Sequence, residues 1–337
     1  MNILAVESSC DETAVAIVRD GREVLTDCIA SQVALHREYG GVVPEIASRK
    51  HIEAIYGLAD QALAETGLTR QNIDAVAGTY APGLIGAGLV GVNLAKAAAL
   101  ALNKPLIPVH HIRGHIAANY IACPDLKPPF LCLVVSGGHT MLLQVEDYTK
   151  MRLLGTTLDD AAGECFDKVG RVLGMPYPGG AAVDKAAQQG DEHKYVLPRS
   201  KPGENPYNMS FSGLKTAALN LIHHAQQVGE EIDIPSLCAG FTAAVSDTLV
   251  PRVVRAVEET GCKKIAVAGG VAANSRIRRD LMEAAQQLGA EVFMPLKLCG
   301  DNAAMIGAQA YYEFLAGNVA DMSRNAYATK SILGEKV

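Results

Sequence analysis

Two widely separated stretches of this chain share one order of parts: an apolar strand, a short polar turn and a second strand, then a buried strand passing through glycines into a helix. The first copy opens at Asn2 to Val6, turns at ESSCDET, resumes at Ala14 and turns again at Asp20 and Gly21, which predicts a strand meander. It continues through a helix from about Pro44 to a stop at Gly67, then IDAVAGTY and APGLIGAGLVGVNLAKAAALAL. The second copy opens at Phe130 to Val135, turns at SGGH, resumes at TMLLQV and ends in KKIAVAGGVAANSRIRRDL. One unit used twice predicts a duplicated, two-lobed α/β nucleotide-binding fold. The two halves begin at Ile3 and Ile73 in the first copy but at Phe130 and Ile265 in the second, so the second lobe carries an insertion of about 60 residues. Pro124, Pro128 and Pro129 mark the linker. The expected lobes are 1–122, with 310–337 as a candidate to complete it, and 130–309 with a helical insertion at about 175–250.

Composition narrows what such a fold can do. A net charge of −6 argues against broad adhesion to nucleic acid, so any such partner must be held by local cations. With no Trp and 5% aromatic residues, the interiors must be filled by Val, Ile, Leu and Ala. Eight cysteines form no CxxC pair, which reads as reduced thiols and not as a disulfide or zinc framework. MNILAVESSCDE has no basic leader region, and the apolar tract from Ala77 to Leu102 is interrupted by Pro82, Asn93 and Lys96. No membrane association is expected, and the location expected is cytoplasmic.

VHHIRGHIAANY places His111 and His115 four residues apart, on one face of a helix, with Cβ atoms roughly 5–6 Å apart. That is close enough to share a metal ion, though backbone carbonyls could equally satisfy both imidazoles. An open transition-metal site needs about three protein ligands. Asp301, at the start of a late helix, is either that third ligand or a plain N-cap. A metallopeptidase would need a glutamate directly after His111, and Ile112 stands there. A kinase of the same fold would rely on a magnesium-binding carboxylate and not on two histidines. Gly83, Gly86, Gly88 and Gly91 suit a phosphate cradle or close helix packing. Asp160, Glu164 and Asp167 recur at helical spacing with Lys168 and Arg171, as a salt-bridged face would. YPGGAAVD feeds a helix whose first turn is expected to hold Asp184 and whose N-terminus could bind a hydroxyl or an anion.

ESSCDET, GGVVPEIASRKH, HHIRGH, LVVSGGHT, YPGGAAVD, SFSGLKT, AGGVAAN and DNAAMIG, in that order, resemble the bacterial TsaD family along essentially the whole chain. The resemblance implies the two-lobed fold of actin, heat-shock chaperones and sugar kinases (ASKHA), with ligand between the lobes. It implies transfer of a threonylcarbamoyl group from threonylcarbamoyl-AMP to N6 of the adenine 3′ of the anticodon, in tRNAs reading codons that begin with A. The family's metal ligands fall on His111, His115 and Asp301; the ion implied is Fe(II), with Zn(II) as the alternative. Substrate contacts for threonylcarbamoyl-AMP or another adenine nucleotide fall on Val134, Val135, Ser136, Gly137, Gly138, Asp167, Gly180, Asp184 and Asn274. Asp167 and Asp184 suit ribose hydroxyls. Asp11 and Glu12, at the first hairpin tip, are candidates for a general base. The partners implied are tRNA, TsaB docking on first-lobe helices, the ATPase TsaE, and a TsaC or Sua-type synthase that supplies the adenylate. Gly86 and Gly91 mark the expected TsaB-facing surface, with Ile55 and Ala95 as places to test it. Arg49, Lys50, Arg276, Arg278, Arg279 and the 194–215 region are the cations expected to meet tRNA.

Overall fold

Strand β1 (Asn2–Glu7) is buried on both faces, and its alternating side chains enter two different cores. It sits at the centre of a sheet ordered β3-β2-β1-β4-β5, formed with β2 (Glu12–Arg19), β3 (Glu23–Ser31), β4 (Ala75–Ala81) and β5 (Leu106–His110). β1 runs antiparallel to β2 and parallel to β4, and β2 runs antiparallel to β3. The expected meander is therefore present, and Asp20 and Gly21 both adopt left-handed backbone at its second turn. The Asp-Gly pair tolerates that conformation where most residues would be strained. Leu4, Val6, Val15 and Ile17 pack with α2 (Pro44–Thr66) and α3 (Ile85–Leu102). Ile3, Ala5, Ala16 and Val18 pack instead under α10 (Ala303–Leu315). Period-two alternation thus splits one strand between two helical layers. Burying Met305 and Ile306 on this face is worth about 1.5–3 kcal/mol each. Gly307 lets α10 lie this close, since a Cβ there would stand 2.6 Å from Val18.

The structure is a computed structural model that describes residues 1–201 and 203–334. The chain separates into two compact units, the first being 1–128, 147–151 and 295–337, the second 129–146 and 152–294. The segment 295–309, expected in the second lobe, belongs to the first unit. The reason is that α10 covers the β1–β2 face, and without it that face would be exposed.

The second unit repeats the first, with a sheet ordered β10-β9-β6-β7-β8. Its strands are β6 (Phe130–Val135), β7 (Thr140–Val145), β8 (Met151–Thr156), β9 (Lys264–Ala268) and β10 (Glu291–Phe293). β6 is antiparallel to β7 and parallel to β9, as β1 is to β2 and β4. Between β8 and β9 lie α5 (Ala162–Val172), α6 (Gly179–Ala187), α7 (Ser212–Val228) and α8 (Ile234–Thr260), and α9 (Ser275–Leu288) follows β9. Helices α3 and α8 are long and apolar enough to cross a membrane by length and composition; 33% of the most apolar window of α3 and 78% of that of α8 are buried.

Candidate functional site

β5 ends at His110, and α4 (His111–Ala122) starts at the next residue. The helix therefore projects His111 and His115 from the carboxyl end of a parallel strand, where open α/β sheets bind ligands. The two rings lie 4.6 Å apart between centroids and nearly perpendicular. Asp301 Oδ1 stands 3.5 Å from His111 Nε2 and 3.2 Å from His115 Nε2. Ligand atoms of the three residues all fall within 4.8 Å of one another. Asp301 is not the cap of α10: Asn302 accepts from the Met305 N–H at 2.8 Å, and Asp27 on β3 accepts from the Ala303 N–H. Both alternative explanations of Asp301 are thus separated, because the capping task falls to its neighbours and its own carboxylate faces the imidazoles.

A fourth residue completes the arrangement and was not singled out from the sequence as part of it. Glu7, fully buried at the end of β1, accepts from His111 Nδ1 at 3.0 Å, from the Thr79 hydroxyl at 2.7 Å and from the Ser9 N–H at 2.5 Å. A carboxylate on Nδ1 fixes the ring and leaves Nε2 as the ligand atom. The sequence signal was a carboxylate closing an otherwise apolar strand. Burial works to raise the Glu7 pKa, but the His111 charge holds it below the usual range. Burial likewise opposes a charged His111, yet Asp301 and Glu7 raise it to about 9. Asp301 is held well below the ordinary value by the two imidazoles against the same burial. A buried pocket that pulls this strongly towards positive charge suits a cation, and two imidazoles with one carboxylate suit Fe(II) or Zn(II). Nδ1 of His115 is buried with no hydrogen-bond partner among the described residues.

The hairpin tip 8–11 borders this cluster. Glu12 accepts from the Ser31 hydroxyl at 2.9 Å, and its second oxygen is buried without a partner among the described residues. Burial first, with Asp11 and Asp301 adding to it, pushes Glu12 up to about 7. Asp11 is buried too, and its backbone carbonyl accepts from the Gln32 N–H.

In the second unit, Gly137, Asp167, Gly180, Asp184 and Asn274 line one cavity of about 320 Å³, together with Gly163, Phe166, Pro178, Gly270 and Val271. The lower end of ordinary ligand pockets is about that size. A Cβ at Gly137 or Gly138 would meet nothing within 4 Å, so the SGGH turn offers bare backbone. Val134 and Val135 have buried side chains and could contribute main chain only. Gly163 is required by contact, since its Cβ would lie 2.4 Å from the Ser136 carbonyl. Asp167 accepts from the Gly179 and Gly180 N–H groups at 2.7 and 3.2 Å. That overturns the expectation of an anion at the N-terminus of α6, because a carboxylate already occupies those donors. On the expected salt-bridged face Glu164 pairs with Lys168. Asp184 lies past the first turn of α6 and accepts from the Ser275 N–H and hydroxyl. Asn274 caps α9 by accepting from the Ile277 N–H. Phe166, Gly270 and Val271 were missed; AGGVAAN contained two of them, but nothing local marked Phe166 as a wall.

Gly86 and Gly91 serve packing within the first unit: a Cβ on either would stand 2.4 Å from the hydroxyl of Ser48 or Ser8. Ile55 and Ala95 are core residues, so neither lies on a docking surface. Among the expected tRNA-facing cations, Lys50 is paired with Glu53, Lys194 with Asp233, Arg199 with Asp247, Lys215 with Asp160, Arg276 with Glu192 and Asp280, and Arg279 with Asp280.

A family model described as tRNA N6-adenosine threonylcarbamoyltransferase matches residues 23–308. A protein of that name from Moorella thermoacetica is 55% identical over 96% of this chain and 95% of its own. One from Clostridium botulinum is 50% identical over 100% of this chain and 99% of its own. Among solved structures, HypF from T. kodakarensis superposes with a TM-score of 0.63 at 15% identity, over 94% of this chain and 48% of its own. Component A of (R)-2-hydroxyglutaryl-CoA dehydratase from Acidaminococcus fermentans gives 0.53 at 14% identity, over 93% and 98%. The two five-stranded sheets and these likenesses establish the ASKHA fold.

Proposed function

The chain belongs to the tRNA N6-adenosine threonylcarbamoyltransferase family, and from that premise we propose that it transfers threonylcarbamoyl from threonylcarbamoyl-AMP to N6 of the adenine 3′ of the anticodon, releasing AMP. The tRNAs are those reading codons that begin with A. The observation that carries this reading is the buried convergence of His111, His115 and Asp301, oriented by Glu7. These residues would hold one divalent ion, Fe(II) in preference to Zn(II), and when bound the ion supplies Lewis acidity and a template.

The remaining steps belong to the chain itself. The exocyclic amine is a weak nucleophile and AMP is already a good leaving group, so positioning and proton removal matter more than a side-chain nucleophile. The cavity of the second unit takes the adenylate, with Asp167 as the ribose acceptor and the SGGH backbone near phosphate. Asp184 and Asn274 order the 270–275 wall through Ser275 and the cap of α9. Glu12 is the stronger candidate for the base, because a carboxyl pushed up to about 7 is poised to exchange a proton near neutrality; Asp11 is the alternative. A base must be ionised, so transfer is expected to rise from pH 6 to 8 and that limb is expected to vanish in Glu12→Gln. Measuring single-turnover transfer across this range checks the assignment, and an unchanged limb in the variant counts against it.

TsaB is proposed to dock on α2 and α3, where Ile52, Tyr56 and Ile85 are exposed. Ile52→Glu and Tyr56→Glu are expected to abolish co-purification with TsaB while leaving the melting temperature unchanged; retained co-purification would count against this surface. TsaE and the adenylate-forming synthase are proposed as the remaining partners. The whole activity is tested by incubating the chain with these partners, threonine, bicarbonate, ATP and tRNA, then digesting the tRNA for nucleoside mass spectrometry. Absence of threonylcarbamoyladenosine would reject the function.

A further inference from the structure

A second cavity, of about 310 Å³, lies in the first unit against Tyr80, His110, Arg113 and Arg324. Tyr80 and His110 lie at the carboxyl ends of the parallel strands β4 and β5, so this cavity lies at the same end of the sheet as the histidine cluster. Arg113 shares α4 with both ligand histidines, but its guanidinium turns elsewhere. It pairs with Glu313 at 2.8 Å and donates to the Ile332 carbonyl at 2.9 Å. Glu313 is further satisfied by Gln309 and Asn318. His110 accepts from the Ile112 N–H through Nδ1, which leaves Nε2 to donate to the Lys330 carbonyl at 3.2 Å. The C-terminal strap from Asn318 to Gly334 is thereby tied to α4 and α10, and its Asn318, Val319, Arg324, Ile332 and Gly334 line the cavity.

Arg324, which lines this cavity, rests on an aromatic face. Its guanidinium is half-buried 5.2 Å above the Tyr80 ring, and no carboxylate of the described residues lies within ion-pair distance of it. Asp321, the nearby acid, accepts from the Ser323 N–H and hydroxyl, and those bonds, with the charge of Arg324 adding to them, hold its carboxyl below the ordinary value. Next to this pair Tyr327 stands edge-on to Tyr80 at 6.4 Å, exposed, with Lys330 Nζ 4.8 Å above its ring.

We infer that the strap residues Arg324, Tyr327 and Lys330, with Tyr80 beneath them, form a docking site for single-stranded RNA. Arg324 meets a backbone phosphate, and Tyr327 stacks a neighbouring base. This rests on the proposed function, which requires an acidic protein to hold tRNA. Alternation of cations with aromatic faces is the chemistry by which unpaired RNA is bound without reading its sequence. A guanidinium already stacked on tyrosine is oriented before binding, so less side-chain freedom is lost. A free nucleotide would need only the cavity. Tyr327 does not line it, and an exposed aromatic beyond the rim is useful to a ligand that continues past the rim.

The test measures tRNA affinity by fluorescence anisotropy at several salt concentrations, using the full chain with its TsaB partner, for wild type, Arg324→Gln, Arg324→Lys and Tyr327→Ala. Arg324→Gln and Tyr327→Ala are expected to bind about five- to tenfold more weakly. Only Arg324→Gln should lower the salt slope, by about one, and Arg324→Lys should restore it. Transfer at saturating tRNA should match wild type, and so should the melting temperature, which separates lost docking from lost folding. Wild-type affinity in both neutralising and aromatic variants would overturn the inference. So would a loss of AMP binding at this cavity with tRNA affinity intact, which would mark a free-nucleotide site. If the wild-type chain binds tRNA through these residues but modifies none, the proposed function fails while the docking site stands.

Discussion

Asp301→Ala is expected to abolish the proposed metal binding and reduce transfer by roughly a thousandfold, with the protein still folded. Two imidazoles remain after the substitution, and two ligands are too few for a site that must also keep open positions. Loss of the proposed ion would remove several kcal/mol of charge stabilisation, which is on the order of a thousandfold in rate. Folding should survive because Asn302 and Asp27 carry the capping of α10 and Asp301 does not. Metal content by plasma emission spectrometry, read beside the melting temperature and single-turnover transfer, checks all three parts. Full metal occupancy in the variant would remove Asp301 from the ligand set.

Glu7 should produce two different phenotypes according to its replacement. Glu7→Ala leaves the His111 Nδ1, the Thr79 hydroxyl and the Ser9 N–H without their shared acceptor in a fully buried place. Removing one member of a buried ion pair costs about 3–5 kcal/mol. The melting temperature should therefore drop by roughly 10 °C. Glu7→Gln keeps the shape and two of the acceptor bonds but not the charge, so folding should be largely preserved while metal affinity weakens about 10- to 100-fold. The pH dependence follows from the depressed value of Glu7. Its contribution is present above the ordinary 4.5 and disappears as pH falls through the lowered value. Acid unfolding of metal-free protein should accordingly begin at higher pH in Glu7→Gln than in wild type. Chelator titration and melting curves from pH 3 to 7 distinguish these outcomes. A Glu7→Gln variant with wild-type metal affinity would reduce Glu7 to a packing role.

Local pattern carried much of the fold. The run from Pro44 to Gly67 read as a helix because its apolar residues recur at three- and four-residue steps, and it is one, ended by Gly67 in the left-handed conformation. The duplication was legible because each copy needs the same strand periodicity and the same turn chemistry, both of which are written in neighbouring residues. Glycine was harder to read. Gly86 and Gly91 looked like a surface for a partner and proved to be contact points with Ser48 and Ser8, since a missing side chain does not say what fills its place.

The sequence by itself determined the alternation that makes both sheets, and the four-residue step that puts His111 and His115 on one face of α4. Both are consequences of backbone period, which depends on a few adjacent residues. Only the tertiary structure decided that Asp301 and Glu7 complete the cluster, that Asn302 takes over the cap, and that 295–309 belongs with the first unit. Those outcomes depend on which chain segments the strand order brings side by side, and on which buried charge needs a counterpart there. No periodicity along the chain encodes either.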